Sequence, residues 1–573
     1  MPETLLGGGS GGYAKVPAHH GGVAVAEVLR SAGVANLFCL PGGHLGAVTD
    51  GCARTGVRVI GTRHEAAALH MAEAWARCTA STGLAGVTAG PGFTNCVTGL
   101  ANAQAGGIPL VVLAGRTPLG LQGRGAVQDV DQQGLAKVVA KWTRAPATAA
   151  DVAPALWEAL VTARAGRPGA AYLELPTDVL TAEAPPVVPS SEGKPAGFRL
   201  AVGAVAAADP GAVDAAVDIL ARAERPVCVA GGGAFWAGAG AALARFAEAT
   251  RIPVTTTSHA RGLLPDGHSG CLGSLLHGGV GVALADAVLV VGSRFNGNLL
   301  FGRAPLFNDC KIVQVDCDPT AFALNREPEL ALLGDAAVVL GQLAEAWRAE
   351  PKKAWLDESR SYAQASMVHW VGETEADARG VHPGWLAREV CAFAAEQGAG
   401  STVVIDGGDI LGWGLAFVRA EEPGSFLFTS DSLGTLGVGV PYAVAAPLAR
   451  AGGPTIALIG DGAFGFSAME LETAARIGTA PIVVVSNNGS WGDVRYEETE
   501  WFGATYASDL TMARYDKLGE ALGGRGERVE KPEDLRPALE RAVASGQPTV
   551  IDVLTDPDKP NEILMNMGAL NLQ

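Results

Sequence analysis

The residues best placed to do chemistry begin at Gly460-Asp461-Gly462 and end at Asn487-Asn488, within the run GDGAFGFSAMELETAARIGTAPIVVVSNNGSW. The pattern predicts a strand, a glycine-rich turn, a helix, a second strand and a loop. Asp461 falls at the C-terminal end of one strand and Asn488 at the end of the next. In an open parallel sheet both ends lie on the ligand-binding edge. A carboxylate and an amide oxygen there suit a hard cation such as Mg2+, which takes about six oxygens, keeps some water and shares its shell with phosphates. Gly460, Gly462 and Gly465 let backbone amides approach a diphosphate, and the following helix presents its N-terminus to it. A lone Gly-Asp-Gly is a common turn. The 24 residues between it and Asn-Asn, reading as a helix and a strand, make the pair far more specific.

Such a site needs strands to carry it, and the chain supplies them throughout. Short apolar runs at 57–62, 84–89, 109–114, 287–292, 455–460 and 481–486 alternate with helical patterns. That alternation predicts βαβ units, and runs this apolar predict parallel sheets covered on both faces. Residues 183–205, rich in Pro, Ser and Gly, read as a linker. The charged stretch 350–381 carries no strand signal and is expected to cross the surface between domains. The expected division is a flexible tail over 1–20, α/β units over 21–185, 206–348 and 382–556, and a terminal tail or lid over 557–573. The first and third units share a strand–helix rhythm. The fold class expected is therefore α/β, with three doubly wound parallel-sheet domains.

Composition removes several classes of function. With 573 residues, 42 Lys plus Arg and 59 Asp plus Glu, the net charge is −17. No basic footprint is available for nucleic acid or for an anionic membrane surface. Mean hydropathy is +0.22, but the cause is Ala, Val and Gly; no run of 18 apolar residues suggests a membrane span. The N-terminus has neither the basic nor the apolar region of a signal peptide. Nine scattered Cys, with no CxxC pair, fit small buried hydrophobes in a reducing cytoplasm.

The strand–GDG–helix–strand–NN arrangement resembles the thiamin diphosphate (ThDP) binding motif. The resemblance implies Asp461 and Asn488 as Mg2+ ligands through their side chains and Ser490 through its carbonyl. It implies Gly460, Gly462 and Ala463 along the diphosphate. It also implies a glutamate after the second strand of the first unit, and Glu65 stands there in VRVIGTRHEAAALHMAEAWAR. Alone, Glu65 reads as a first-turn acid favoured by the helix dipole. In ThDP enzymes this carboxylate stabilises the imino tautomer of the cofactor, which then deprotonates its own thiazolium. Pro41-Gly42-Gly43-His44 resembles the family's loop facing the active site, and Gly90-Pro91-Gly92 with Asn95 its GPG…N turn. SLGTLGVG at 432–439 resembles the loop that wedges the cofactor from beneath, which makes Leu436 the wedge. The family places the activating Glu and the metal site on different subunits, so a homodimer or homotetramer is implied. The three units become pyrimidine-binding, central and diphosphate-binding domains.

Local resemblances point to benzaldehyde lyase and the 2-hydroxyacyl-CoA lyases: RHEAAA…HMAE, VTAGPGFTN, NNGSWG and PNEILMNMG. They imply a ThDP- and Mg2+-dependent carbon–carbon lyase or carboligase working through a thiazolium-bound enamine. Its substrates would be 2-hydroxyacyl-CoA thioesters or 2-hydroxy ketones. The alternative is an acetolactate synthase-type carboligase acting on pyruvate, a 2-oxo acid. Gly489-Ser490-Trp491-Gly492-Asp493 disfavours it. Benzaldehyde lyase has a His where Pro41 stands. Gln128, in GAVQDVDQQ, reads as a donor to a developing alkoxide or as a surface amide. His44 reads as a proton relay or an ordinary loop residue. Trp491, Asp493 and Glu497 are candidates to line a substrate channel. His19 and His20 read as tail residues and His64 as a packing residue. Gly231-Gly232-Gly233, Asp316 and Asp318 give the central unit a Rossmann-like look, which suits ADP or FAD or an empty domain that only packs subunits. The competing class is a non-catalytic nucleotide-binding scaffold, against which intact Glu65, Asp461 and Asn488 speak.

Overall fold

The computed structural model describes residues 16–187, 206–429 and 433–561. Most of the expected N-terminal tail and linker, Ser432 of the wedge loop and residues 562–573 of the C-terminal tail lie outside the described residues. The described residues form three six-stranded sheets in which every strand pair is parallel. The first holds β1 (Asn36–Cys39), β2 (Arg58–Gly61), β3 (Gly83–Val87), β4 (Leu110–Arg116), β5 (Trp142–Arg144) and β6 (Ala170–Pro176), in the order β2-β1-β3-β4-β6-β5. The central sheet holds β7 (Pro226–Ala230), β8 (Val254–Thr256), β9 (Cys271–Ser274), β10 (Ala287–Val291), β11 (Lys311–Asp316) and β12 (Leu330–Leu333), in the order β12-β11-β10-β7-β8-β9. The third holds β13 (Thr402–Asp406), β14 (Phe426–Phe428), β15 (Thr455–Gly460), β16 (Ile482–Asn487), β17 (Arg525–Val529) and β18 (Thr549–Leu554), in the order β14-β13-β15-β16-β18-β17. Numbered within each sheet, the first and third orders are the same. The shared rhythm in the sequence is a shared topology.

The apolar runs are buried on both faces. In β4, Leu110, Val112 and Ala114 join one core while Val111 and Leu113 join another. In β15, Ala457 and Ile459 belong to that first core, and Ile456 and Leu458 to a third. One core is thus common to the first and third sheets. It is closed by the helices Glu65–Thr79 and Gly439–Ala449.

Polar groups fix the register of that shared layer. Glu73 is fully buried, and its Oε2 accepts from Asn102 Nδ2 at 3.0 Å and from Tyr442 Oη at 2.9 Å. His70 Nδ1 lies 3.1 Å from the same oxygen. Loss of a donor to a buried carboxylate costs about 1–3 kcal/mol. Tyr442→Phe is therefore expected to destabilise the chain by about that much in urea unfolding, with the fold retained.

Two expectations need correction. Residues 16–20 are not a free tail. His20 is buried, pairs as an isolated bridge with Glu183, and its Nε2 lies 2.9 Å from Asp50 Oδ2. His19 sits 2.8 Å from Ala184 O and 3.0 Å from Glu27 Oε2. The stretch 350–381 is more than a surface crossing. Its helix Lys353–Glu373 buries Trp355 against the central unit, with Nε1 donating to Pro226 O, and Trp370 against the third.

Candidate active site

At the C-terminal edge of the first sheet, Glu65 opens its helix. His64 is exposed and caps that helix, its Nδ1 accepting from Ala66 N at 3.1 Å. It caps where packing was expected, because a side chain just ahead of a helix meets the free amides of the first turn. The Glu65 carboxylate is buried, and Asn95 Nδ2 donates to its Oε2 at 3.0 Å. Thr88, beyond β3, ties the neighbouring loops together. Its Oγ1 lies 3.2 Å from His44 Nδ1, and a Cβ on Gly42 or Gly92 would strike its side chain at 2.4 or 2.6 Å. Burial holds the His44 imidazole below the ordinary histidine range, so it is neutral near pH 7. Pro41 is exposed.

Gln128 adopts a left-handed backbone with φ of 61°. A non-glycine residue held there costs on the order of 1–3 kcal/mol, and such strain gathers at functional sites. It packs on Gly90, where a Cβ would come within 2.8 Å of Gln128 Cα. Beneath both lies Gln132, fully buried. It accepts from Gly90 N at 2.8 Å and donates to Gly115 O at 3.1 Å and Tyr172 Oη at 2.8 Å. The structure therefore brings Glu65, Asn95, Gly42, His44 and Gln128 to one edge.

The second edge belongs to the third sheet. Asp461 follows β15 and opens the helix Asp461–Ser467. It is buried. Oδ1 accepts from Gly462 N at 3.0 Å, and Oδ2 has no hydrogen-bond partner. Burial pushes its carboxyl up to about 7, against the pull of the Gly462, Gly489 and Ser490 backbone N–H groups. An ionised carboxylate oxygen buried without a donor is costly unless a cation completes it. Asn488 stands just past β16, next to β15 in the sheet, with Oδ1 accepting from Ser490 N and Oγ, each at 3.0 Å. Asn487 is structural, its Nδ2 donating to Asp552 Oδ1 at 2.8 Å and Ala513 O at 3.0 Å. These residues fit a hard cation: one partnerless carboxylate oxygen, with an amide oxygen and the Ser490 carbonyl on the next strand's loop.

The glycine turn has a second duty. A Cβ on Gly462 would meet the Trp491 ring at 2.5 Å, and Trp491 packs edge-on to Phe466 at 6.0 Å between centroids. Ala463 is buried behind the turn, Gly465 keeps open space, and a Cβ on Gly460 would touch Ile410 at 3.6 Å. Leu436 lies half-buried on the core common to the two outer sheets. Its loop hangs from Asp406 at the end of β13, whose Oδ2 accepts from Gly437 N at 3.0 Å and Gly439 N at 2.7 Å. Asp409, on the next helix, accepts from Asn561 N at 2.6 Å, and burial pushes its carboxyl up to about 7. Burial also raises Asp493 and Glu497 on the helix Gly492–Phe502.

In the central unit the glycine run is accounted for by packing. Gly231 N donates to Val291 O and Gly233 N to Gly292 O, both at 2.8 Å. A Cβ on either would collide with Ser293 or Gly292. Asp316 accepts from Asp318 N, and Asp318 caps Thr320.

Three family models match the chain: the N-terminal TPP binding domain of thiamine pyrophosphate enzymes over residues 19–135, their central domain over 213–343 and their C-terminal TPP binding domain over 406–553. A probable acetolactate synthase of Mycobacterium bovis is 35% identical over 540 residues, covering 94% of this chain and 96% of that protein. The 2-hydroxyacyl-CoA lyase of Arabidopsis thaliana is 31% identical over 563 residues, with 94% and 96% covered. The human 2-hydroxyacyl-CoA lyase 2 is 31% identical over 580 residues, with 94% and 90% covered. The chain belongs to the thiamine pyrophosphate enzyme family. It is a thiamine pyrophosphate-dependent enzyme of the carbon–carbon lyase or carboligase kind.

Glu65 lies in the N-terminal TPP-binding domain of this enzyme, and Asp461, Asn488 and Ser490 lie in the C-terminal one. The two domains meet just ahead of Glu65. Backbone N–H groups of Arg63 and His64 donate to Glu470 Oε1 at 2.9 and 3.1 Å. Glu470 is buried, and Thr473 Oγ1 donates to its other oxygen at 2.7 Å. Glu470→Ala strands both amides, which costs about 2 kcal/mol or more. Urea unfolding is expected to show that loss. Among the described residues, no helix is long and apolar enough to cross a membrane.

Proposed function

We propose that this thiamine pyrophosphate enzyme is a Mg2+-dependent lyase and carboligase for 2-hydroxyacyl-CoA thioesters or 2-hydroxy ketones. The observation that carries the reading is the buried, partnerless Oδ2 of Asp461 beside the Asn488 loop. Asp461, Asn488 and the Ser490 carbonyl would hold Mg2+, and the amides around Gly460, Gly462 and Ala463 the diphosphate. Leu436 would brace the cofactor from its loop on Asp406. When bound, thiamin diphosphate supplies the electron sink for the carbon–carbon bond that is made or broken.

The chain's own groups do the rest. Glu65, fixed by Asn95, would hold a proton at the pyrimidine ring. Gln128 can donate an N–H to a developing alkoxide without presenting a charge that repels an anionic substrate. His44, neutral and held near Thr88, can exchange a proton with a substrate hydroxyl. Pro41 and Gly42 would line the same side. Trp491 packs over the glycine turn. The working form would be a homodimer or homotetramer in which units 21–185 and 382–556 of different subunits face each other. Nine free cysteines fit the cytoplasm as its compartment.

A second reading, a synthase acting on pyruvate, is favoured by the 35% identity to a probable acetolactate synthase. One assay separates the two. Protein with thiamin diphosphate and Mg2+ is given 2-hydroxyisobutyryl-CoA or pyruvate, and products are read by mass spectrometry. Formyl-CoA plus acetone is the expected result. Acetolactate from pyruvate, with the thioester untouched, would move the enzyme to the second reading.

A further inference from the structure

Past the C-terminal end of β18, at the rim of the third sheet, a cavity of about 300 Å³ lies between the bridging helix Lys353–Glu373, His382 at the start of the next helix, the helix Asp409–Phe417 and the segment 558–560. That is the small end of the range for ligand sites. Its apolar wall is two indoles, Trp370 and Trp413, set edge to face with centroids 5.8 Å apart. Trp413 is only 4% exposed, and its Nε1–H has no acceptor. A buried indole N–H normally finds one. His382 also lines the cavity and is buried. Its Nδ1 accepts from Gly384 N at 3.0 Å, which leaves the proton of the neutral ring on Nε2. Burial, then the nearby Lys559 charge, hold this ring down at about 4, so it stays a neutral donor.

The charges that line the cavity can be sorted by their partners. Glu373 is more than half exposed, 3.9 Å from His369 Nδ1, and solvent screens its charge. Asp558 is paired with Arg379 and Arg495. Lys559 has no hydrogen bond or ion pair among the described residues. What remains unspent is one ammonium group, two neutral N–H donors and two aromatic surfaces. That set matches a single negative charge carried on a small apolar body. A phosphate, with more charge and no apolar part, would face Glu373 and Asp558 and leave the indoles uncovered.

We propose that this cavity is a binding site for a small organic monocarboxylate, held by Lys559 and the Trp413 N–H with its carbon body against the indoles. The site lies beside the cofactor edge of the third sheet and shares elements with it. Trp413 sits one turn along the helix that Asp409 opens. The segment 558–560 runs into Asn561, whose N–H holds Asp409. A bound carboxylate would brace that helix and that segment together.

Calorimetric titration of the full chain with isobutyrate, at constant ionic strength, tests this. Isobutyramide is the neutral control. One saturable site per chain with a Kd of about 1 mM or below is expected, with the amide at least about tenfold weaker. A hydrogen bond to a charged group carries enough energy for about a tenfold effect. Lys559→Ala should weaken binding by about that factor, and Trp413→Phe, which removes the donor together with part of the indole wall, by at least as much. Saturating thiamin diphosphate and Mg2+ should leave the affinity unchanged. No saturable binding, equal binding of the amide, binding untouched by both substitutions, or competition by the cofactor would each overturn the proposal.

Discussion

Replacing Glu65 by glutamine is expected to abolish turnover while the cofactor stays bound. The two side chains have nearly the same shape. The amide oxygen of glutamine can still accept from Asn95 Nδ2, which now sits 3.0 Å from Glu65 Oε2. The neighbouring constraints, Gly92 and Thr88, are untouched. What disappears is the charge, and with it the ability to hold a proton at the pyrimidine. Loss of a positioned acid–base group costs about 10²–10⁴-fold in rate. Thiamin diphosphate affinity in the presence of Mg2+, read by calorimetry, should change by less than about threefold. The metal and diphosphate contacts belong to the other edge. A variant within a few-fold of wild-type turnover would refute the role given to Glu65.

The positions of Asp461 and Asn488 at strand ends were legible in the sequence for a physical reason, while Glu65 was singled out by the resemblance and alone reads as a first-turn helix acid. The first two each sit at a junction where a strand ends, and strand ends in parallel sheets fall on one edge. The apolar runs at β4 and β15 announce themselves because both faces are buried, so the sheets could be read as well. The residues that hold the site together were not legible. Thr88, Asp406 and Glu470 act by touching segments remote in the chain: Asp406 reaches Gly437 and Gly439, and Glu470 reaches Arg63 and His64. No local spacing encodes such contacts. Gln132 had a weak local signal, lying just after the capping Asp131, but its value comes from Gly90, Gly115 and Tyr172. The bridging helix was hidden for another reason. Only Trp355, Leu356, Ser359 and Trp370 are buried along its 21 residues, too sparse a stripe to show a helical period. His20 was hidden because its partners, Asp50 and Glu183, lie far along the chain.

Asp461→Asn should separate a metal ligand from a structural acid, because the two roles give opposite signs. If Asp461 is structural, neutralising it removes a favourable interaction and the protein without cofactor becomes less stable. The geometry favours the opposite sign. Oδ1 accepts from Gly462 N, and an asparagine oxygen can keep that bond. Oδ2 is buried with no hydrogen bond, and burial drives the carboxyl up to about 7 against the pull of the Gly462, Gly489 and Ser490 backbone N–H groups. A buried charge without a partner costs more than a buried neutral amide. The variant stripped of Mg2+ and thiamin diphosphate is therefore expected to be as stable as the wild type or more so, by about 1 kcal/mol. With both present the order should reverse. Wild type gains stability from the ligands in proportion to the logarithm of their concentration over Kd. The asparagine variant, lacking the charge that Mg2+ needs, should bind thiamin diphosphate at least about 100-fold more weakly and gain about 2.7 kcal/mol less. Thermal unfolding with and without EDTA reads both signs in one experiment. A variant that is less stable without ligands and equally stabilised by them would remove Asp461 from the metal site.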